Sequence, residues 1–156
     1  MTGQLHVVCQ LRKTDNIYQQ GENIMSAASD YLEDKVLDHV LDNTAFTQPG
    51  GIYLALFTAD TGLEANSPTA EISTSGTAYG RQSVSFAAAS SGSASTDATV
   101  TFSAATANWG TITHVAVMDA ATAGNVLFYG AVTTSKTIES GDTFQVSSGN
   151  LTVSLA

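Results

Sequence analysis

The chain has 156 residues and a formal net charge of -9, with 43% hydrophobic and only 12% charged residues. This length suits one domain, and the composition is that of a folded chain, because a disordered acidic chain combines high charge with few apolar residues. Five Lys and Arg stand against fourteen Asp and Glu, so there is little material for a surface that binds nucleic acid or an anionic membrane. The sequence therefore predicts one folded acidic domain that has neither as a partner.

Targeting and redox signals are sparse. Cys9 is the single cysteine, which excludes an intrachain disulfide and a four-cysteine zinc site. We see no apolar run long enough to span a membrane and no basic segment followed by an apolar core at the start. We therefore expect synthesis in the host cytoplasm without a signal peptide, and release by another route, such as a particle freed by lysis.

The first 24 residues differ from the rest, because they carry two basic and two acidic residues while the whole deficit of nine charges lies in residues 25–156. We predict an N-terminal arm over residues 1–24, with one short strand and a linker, and a single helix-plus-sandwich domain over residues 25–156. The alternative is an upstream extension without a separate fold, since Met25 followed by Ser26 resembles a translation start. The apolar residues of the arm are candidate assembly contacts: Leu5, Val7, Val8 and Leu11.

One amphipathic helix is predicted over residues 29–43. Ser29 or Asp30 can cap its start, with Glu33 placed as in a capping box, and Asn43 ends it. The apolar residues that recur at helical spacing on one stripe are Leu32, Val36, Leu37, Val40 and Leu41.

After residue 51 the pattern changes to alternating β-branched and aromatic residues between Gly, Ser and Asn clusters, which is typical of antiparallel strands with one buried face. Residues 87–97, low in complexity, are expected to form a flexible surface loop. Strands are predicted near Ile52–Thr58, Glu71–Thr74, Ala78–Phe86, Ala98–Phe102, Ile112–Asp119, Val126–Thr134, Thr143–Val146 and Leu151–Leu155. The fold class is mainly β: an antiparallel β-sandwich, jelly-roll or immunoglobulin-like, with seven or eight strands, preceded by one amphipathic α-helix and the N-terminal arm.

Signals for chemistry are weak. His6, His39 and His114 lie in different elements without metal-ligand spacing, and no Gly-x-Ser-x-Gly elbow accompanies the many serines. We predict a protein that is not an enzyme, with no catalytic residue, no metal and no cofactor, and a half-buried, hydrogen-bonded His114. A calcium ion bound by the turns at residues 60–64 or 119–125 is the alternative left open.

Trp109 is the one candidate for sugar recognition. A Trp beside a strand can form an exposed platform on which a sugar ring stacks, or it can anchor the core. Both interpretations stay open at this point.

The order of several motifs resembles a family of small tailed-bacteriophage virion proteins that is commonly labelled phage tail fibre protein. The resemblance covers residues 26–156 and includes no catalytic motif. It is carried by YLEDKVLDHVL at residues 31–41, IYLALFTAD at 52–60, GTAYGRQSVSF at 76–86, ANWGTITHVAVMD at 107–119, GNVLFYG at 124–130 and SGD at 140–142. It implies a structural protein of a virus particle, located in the virion.

Within a virion, the compact domain and arm favour an oligomeric decoration (cement) protein on the capsid exterior. The sheet edges have few lysines to protect them, which favours a homo-oligomer, and we expect a trimer. Its partners would be further copies of itself and the major capsid protein or other virion proteins, contacted through the arm and through Leu32, Val36 and Val40. The alternatives are a tail fibre or baseplate-associated protein with a host-glycan contact at Trp109, and an extracellular carbohydrate-binding module.

Overall fold

Two antiparallel β-sheets and one α-helix make up the structure, a computed structural model that describes residues 4–13, 16–17 and 26–155. In chain order the elements are β1 (Gln4–Lys13), β2 (Asn16–Ile17), β3 (Ser26–Ala28), α1 (Asp30–Leu41), β4 (Tyr53–Phe57), β5 (Gln82–Ser83), β6 (Ser93–Ser95), β7 (Val100–Thr101), β8 (Gly110–Met118), β9 (Val126–Ile138) and β10 (Thr143–Ser154). One sheet has the order β2-β1-β10-β6, with β7 also paired to β10, and the other has the order β3-β9-β8-β4-β5. The predicted mainly β antiparallel sandwich with one preceding helix is confirmed.

The core lies between the sheets, and a second, smaller cluster lies on the other face of the β4–β8 sheet. In β4, Leu54 and Leu56 face the main core, whereas Ala55 and Phe57 face the smaller cluster together with Leu63 from the following loop. A strand that is buried on both faces needs a continuous apolar run instead of an alternating one. This requirement explains the sequence YLALF of β4.

A cluster of aromatic rings lies within the main core. The rings of Tyr79 and Phe102 stack with centroids 6.0 Å apart, and Trp109 meets Tyr79 edge to face at 5.5 Å. Phe144 of β10 meets Phe102 at 5.6 Å, so this cluster joins the two sheets. Such pairs contribute about 0.5–1.5 kcal/mol each beyond the burial of their area.

The last two predicted strands are one long strand with a bulge. Leu151 pairs with Val7 of β1, but Val146 pairs with Cys9, so four residues of β10 face a single residue of β1. Phe144 and Val146 are buried, as are Leu151 and Val153, and the interval from 146 to 151 is odd. A bulge is therefore required to keep both pairs on the core face, since a plain strand would turn the second pair to solvent.

Two other expectations need correction. Residues 87–97 contain a strand, since Ser93–Ser95 pairs with the end of β10, whereas the sequence predicts only a flexible loop. In the predicted strand Ala78–Phe86 only Gln82–Ser83 pairs with β4, and the predicted strand at residues 71–74 is a single bridge from Glu71 to Phe57.

Hydroxyl and amide side chains cover the outer face of the β10 sheet. The hydroxyls of Ser93 and Ser154 lie 2.6 Å apart, and those of Ser95 and Thr152 lie 2.7 Å apart. Gln145 donates to the Thr101 hydroxyl at 2.7 Å. Cross-strand hydrogen bonds thus join the polar side chains of this face.

The arm is described only in part. The backbone of β1 pairs antiparallel with β10, from Gln4 opposite Ser154 to Arg12 opposite Thr143. For residues 4–13, the chain thus adds a strand to its own domain. Among the described residues, no helix is long and apolar enough to cross a membrane.

Candidate functional site

Helix α1 is attached to the sandwich at its first turn. Ser29 caps the helix by accepting a hydrogen bond from the Leu32 amide at 3.3 Å, and its hydroxyl donates to the Val126 carbonyl of β9. The amide of Asp30 donates to the Glu64 carbonyl at 2.9 Å. These bonds satisfy the exposed amides of a helix start and fix the direction in which the helix leaves the sheet.

The other end of the helix is closed by the chain that follows it. Asn43 has a φ of 53°, the left-handed conformation that commonly ends helices. The Phe46 amide donates to Nδ1 of His39 at 3.3 Å, and the Phe46 ring packs against the core. The predicted helix is confirmed, with Ser29 as its cap and Leu41 as its last residue.

The apolar stripe of α1 faces solvent over most of its length. Leu32 is buried, but Val36 and Leu37 are 40% and 55% exposed, and Val40 and Leu41 are 70% and 77% exposed. These four residues are called the aliphatic stripe below. An amphipathic helix ordinarily turns such a stripe towards the core. Here it forms an exposed apolar surface of the kind that marks a contact with another macromolecule.

Acidic side chains accompany the aliphatic stripe. Glu33 and Asp34 are exposed one turn before it, and Asp42 follows it. The one Lys of the helix, Lys35, is half-buried, with Nζ 5.8 Å from the centre of the Tyr31 ring. The surface is thus apolar with an acidic margin.

The predicted assembly residues lie in different environments. Val36 and Val40 are exposed, as a contact surface requires, but Leu32 belongs to the core and is not available to a partner. The arm residues lie on β1, opposite β10, and their side chains fall outside the part that the structure describes: Leu5, Val7, Val8 and Leu11. Leu37 and Leu41 extend the exposed surface beyond the residues predicted for it.

Trp109 is a core residue. Its side chain is 4% exposed, and Nε1 donates to the Thr77 carbonyl at 2.7 Å. The indole has no free face on which a sugar could stack, so the predicted glycan contact is corrected in favour of the core anchor.

A half-buried ion pair was not predicted from the sequence. Arg81 forms a two-point ion pair with Glu71, at 2.8 Å from Nε and 2.7 Å from Nη2. Its remaining nitrogen, Nη1, donates to the carbonyls of Ala120 and Ala123 at 2.9 and 2.6 Å. The Arg81 side chain is 7% exposed, and it holds the loop between β8 and β9 against the rest of the sheet.

Tyr79 completes this network. Its hydroxyl donates to Glu71 Oε1 at 3.0 Å and accepts from the Leu56 amide at 3.0 Å. Burial, and then the charge of Glu71, raise the pKa of the Tyr79 phenol, while the hydrogen bond to Glu71 raises the pKa of Arg81. Glu71 and Arg81 are ten residues apart on irregular segments, so no periodic signal relates them in the sequence.

The turns considered for calcium are held by hydrogen bonds. Asp119 accepts from the amide and the side chain of Asn125 at 2.6 and 2.7 Å, and Asn66 donates to Asn125 at 2.8 Å. The part of the chain that the structure describes contains no group of three or more His, Cys, Asp or Glu residues that could hold a metal ion. His114 is half-buried beside the Thr113 hydroxyl, as predicted, and burial lowers its pKa.

Comparison with known proteins identifies one family. The family described as "Podophage GP4 fiber I protein gp80" matches residues 27–154, from β3 to the end of β10. A search of curated proteins finds no match. The match covers α1 and β4 to β10 and leaves β1 and β2 outside. The chain belongs to this podophage fibre protein family.

Proposed function

We infer that this chain is a fibre subunit of the tail, without enzymatic activity, which is held in the virion by α1. Membership of a fibre family gives it a structural role in the virion. It also fits the tail fibre alternative better than capsid decoration. The observation that supports attachment through α1 is the exposure of the aliphatic stripe.

The aliphatic stripe has the geometry of a helix that docks into a groove. Val36, Leu37, Val40 and Leu41 follow the i, i+1, i+4, i+5 spacing, so they project from one face of α1 over its last two turns. Fully burying one such side chain contributes about 1.5–3 kcal/mol. Covering this surface with a partner therefore supplies a substantial part of the free energy that association requires.

The margin of the stripe indicates the chemistry of the partner. Because Glu33, Asp34 and Asp42 surround it, a complementary groove is apolar at its centre and basic at its rim. The chain has only five Lys and Arg, and Arg81 is engaged with Glu71, so another copy of this chain is poorly equipped to offer that groove. Another virion protein is the partner that fits.

Particle incorporation tests this proposal. In Val40→Gln/Leu41→Gln two exposed apolar side chains are replaced by good helix formers, so we expect a folded protein that is depleted from purified particles at least tenfold. The matched control Leu155→Gln replaces an exposed apolar side chain outside α1 and should be incorporated to within about twofold. Normal incorporation of the double variant would contradict attachment through α1.

Imaging tests the position in the particle. Gold-labelled protein should appear in a few copies at the one vertex that bears the tail, whereas many evenly spaced copies over the head would support capsid decoration instead.

The predicted trimer is tested by light scattering on the full chain, where it requires three times the 16.1 kDa mass of one chain.

A further inference from the structure

An apolar cleft of about 420 Å³ lies beside the first turn of α1. One wall is the segment Gln-Pro-Gly-Gly at residues 48–51, which leads from the helix to β4. The larger apolar side chains of the lining come from α1, from the chain that follows it and from β9: Leu32, Phe46, Ile52, Leu127 and Phe128. This space is called the α1 cleft below.

The α1 cleft adjoins the aliphatic stripe. Leu32 lines the cleft, and Val36 and Val40 follow it at intervals of four residues, so these three side chains lie on one face of α1. At the end of the helix the Phe46 amide donates to Nδ1 of His39 at 3.3 Å, which holds the chain that walls the cleft beside the helix. A partner that covers the stripe therefore also meets the cleft.

The aliphatic stripe alone is small for a stable interface. Each partner of a stable complex contributes about 20–30 residues and ~800 Å², whereas the stripe consists of four side chains, of which Val36 and Leu37 are only 40% and 55% exposed. Most of the binding energy of a protein interface comes from a few large side chains that fill pockets on the partner. The α1 cleft supplies such a pocket next to the stripe, together with part of the additional area.

The lining of the α1 cleft indicates what enters it. Among the described residues of the lining, Gln48 has the only polar side chain and none is charged. A charged group would lose its hydration in the cleft without gaining an ionic partner. An aromatic side chain, in contrast, buries about 150–250 Å² of largely apolar surface in such a site. The lining thus favours an aromatic or large aliphatic side chain.

We propose that the virion protein that binds the aliphatic stripe inserts an aromatic or large aliphatic side chain into the α1 cleft. This rests on the proposed attachment through α1, and it adds a pocket on this chain that receives part of the partner. The contact is then reciprocal, because α1 lies in a groove of the partner while a side chain of the partner lies in the α1 cleft.

Filling the α1 cleft tests the proposal. Gly50 is exposed, and a Cβ built on it meets nothing within 4 Å, so Gly50→Trp adds an indole at the cleft wall without a clash at Cβ. We expect a folded protein that is depleted from purified particles at least tenfold, as for the loss of a buried anchor. The matched control Gly80→Trp adds the same side chain where a Cβ also meets nothing within 4 Å, and should be incorporated to within about twofold.

A change of charge without a change of size gives a second test. Gln48 is exposed, so Gln48→Glu should fold as the original chain does, and circular dichroism checks this for every variant. A carboxylate in the lining opposes an apolar side chain, and we expect incorporation to fall at least threefold. A partner that merely presented a basic rim to this surface would bind Gln48→Glu equally well or better.

These results separate the proposal from attachment through α1. Normal incorporation of Gly50→Trp or of Gln48→Glu, with depletion of Val40→Gln/Leu41→Gln, would overturn the insertion and leave attachment through α1 in place. Normal incorporation of Val40→Gln/Leu41→Gln would overturn both. If Gly50→Trp is incorporated normally but lowers the fluorescence of bound Nile red, an uncharged apolar dye, the α1 cleft is a site for a small apolar molecule instead.

Discussion

Replacing Arg81 with Ala should destabilise the fold, because it leaves Glu71 without its ion-pair partner. The side chains of Arg81 and Glu71 are 7% and 25% exposed, and Arg81 also holds the carbonyls of Ala120 and Ala123. Removing one partner of a buried ion pair costs about 3–5 kcal/mol. Since Glu71 keeps some contact with water and with the Tyr79 hydroxyl, we expect the lower end, about 3 kcal/mol of unfolding free energy.

Urea denaturation followed by circular dichroism measures this loss. In thermal unfolding, a loss of about 3 kcal/mol in a domain of this size lowers Tm by roughly 6–12 °C. The control Lys136→Ala removes a positive charge from β9, away from this network, and should change the unfolding free energy by about 0.5 kcal/mol or less.

A double-mutant cycle separates the ion pair from the size of the side chain. Adding Glu71→Leu to Arg81→Leu removes both charges, and the double variant should recover part of the stability that Arg81→Leu alone loses, because no buried carboxylate is left unpaired. A loss under about 1 kcal/mol for Arg81→Ala, or strictly additive effects in the cycle, would refute the reasoning that this pair fixes the β8–β9 loop.

Three further predictions concern local features of the same fold. Gly124→Ala should cost more than about 1 kcal/mol in urea denaturation, because φ is +72° and a Cβ would lie 2.3 Å from Oδ1 of Asp119; Gly141→Ala, with φ +95° but nothing within 4 Å, should cost clearly less. Ser29→Ala should lower the unfolding free energy by about 1–2 kcal/mol through the loss of the helix cap, and an unchanged urea midpoint would contradict this. The raised pKa of Tyr79 keeps its phenol protonated in the fold while the unfolded chain ionises near pH 10, so unfolding free energy should fall as pH rises above about 10, by up to ~1.4 kcal/mol per pH unit; Tyr79→Phe should flatten this slope, and equal slopes would be inconsistent with the burial of the hydroxyl.

The elements with strong periodicity could be predicted from the sequence, but what each of them packs against could not. The helix was predicted with its cap because Ser29 and the apolar spacing act locally. Whether its apolar stripe faces the core or solvent was not predicted, because an exposed apolar face has the same residue spacing as a buried one. Leu32 and Val40 belong to the same pattern, but only the attachment of the first turn to β9 decides which of them is buried.

The bulge and the short strand show a second limit. The sequence SSGN at residues 147–150 has the composition of a turn, and it interrupts the alternation of β10, so one strand was predicted as two. Residues 93–95, Ser-Ala-Ser, carry no large apolar residue, and β6 forms because its backbone and hydroxyls match β10. Pairing across a sheet is a long-range property that a local pattern does not contain.

The candidate attachment surface was predicted in residue type and only partly in position. Val36 and Val40 are exposed, and their role as contacts stays a prediction. Trp109 is not available to a sugar, because its indole is buried in the aromatic cluster. The ion pair of Arg81 could have been suspected only from the scarcity of cations, since a buried Arg in an acidic chain commonly has a carboxylate partner.

The hydroxyl face of the β10 sheet has a consequence for a particle that leaves its host. Its cross-strand bonds join Ser, Thr and Gln side chains, groups that neither gain nor lose a proton over the pH range of natural waters and soils and whose attraction is not screened by ions. We therefore expect neither salt nor moderate changes of pH to open the hydrogen bonds of this face.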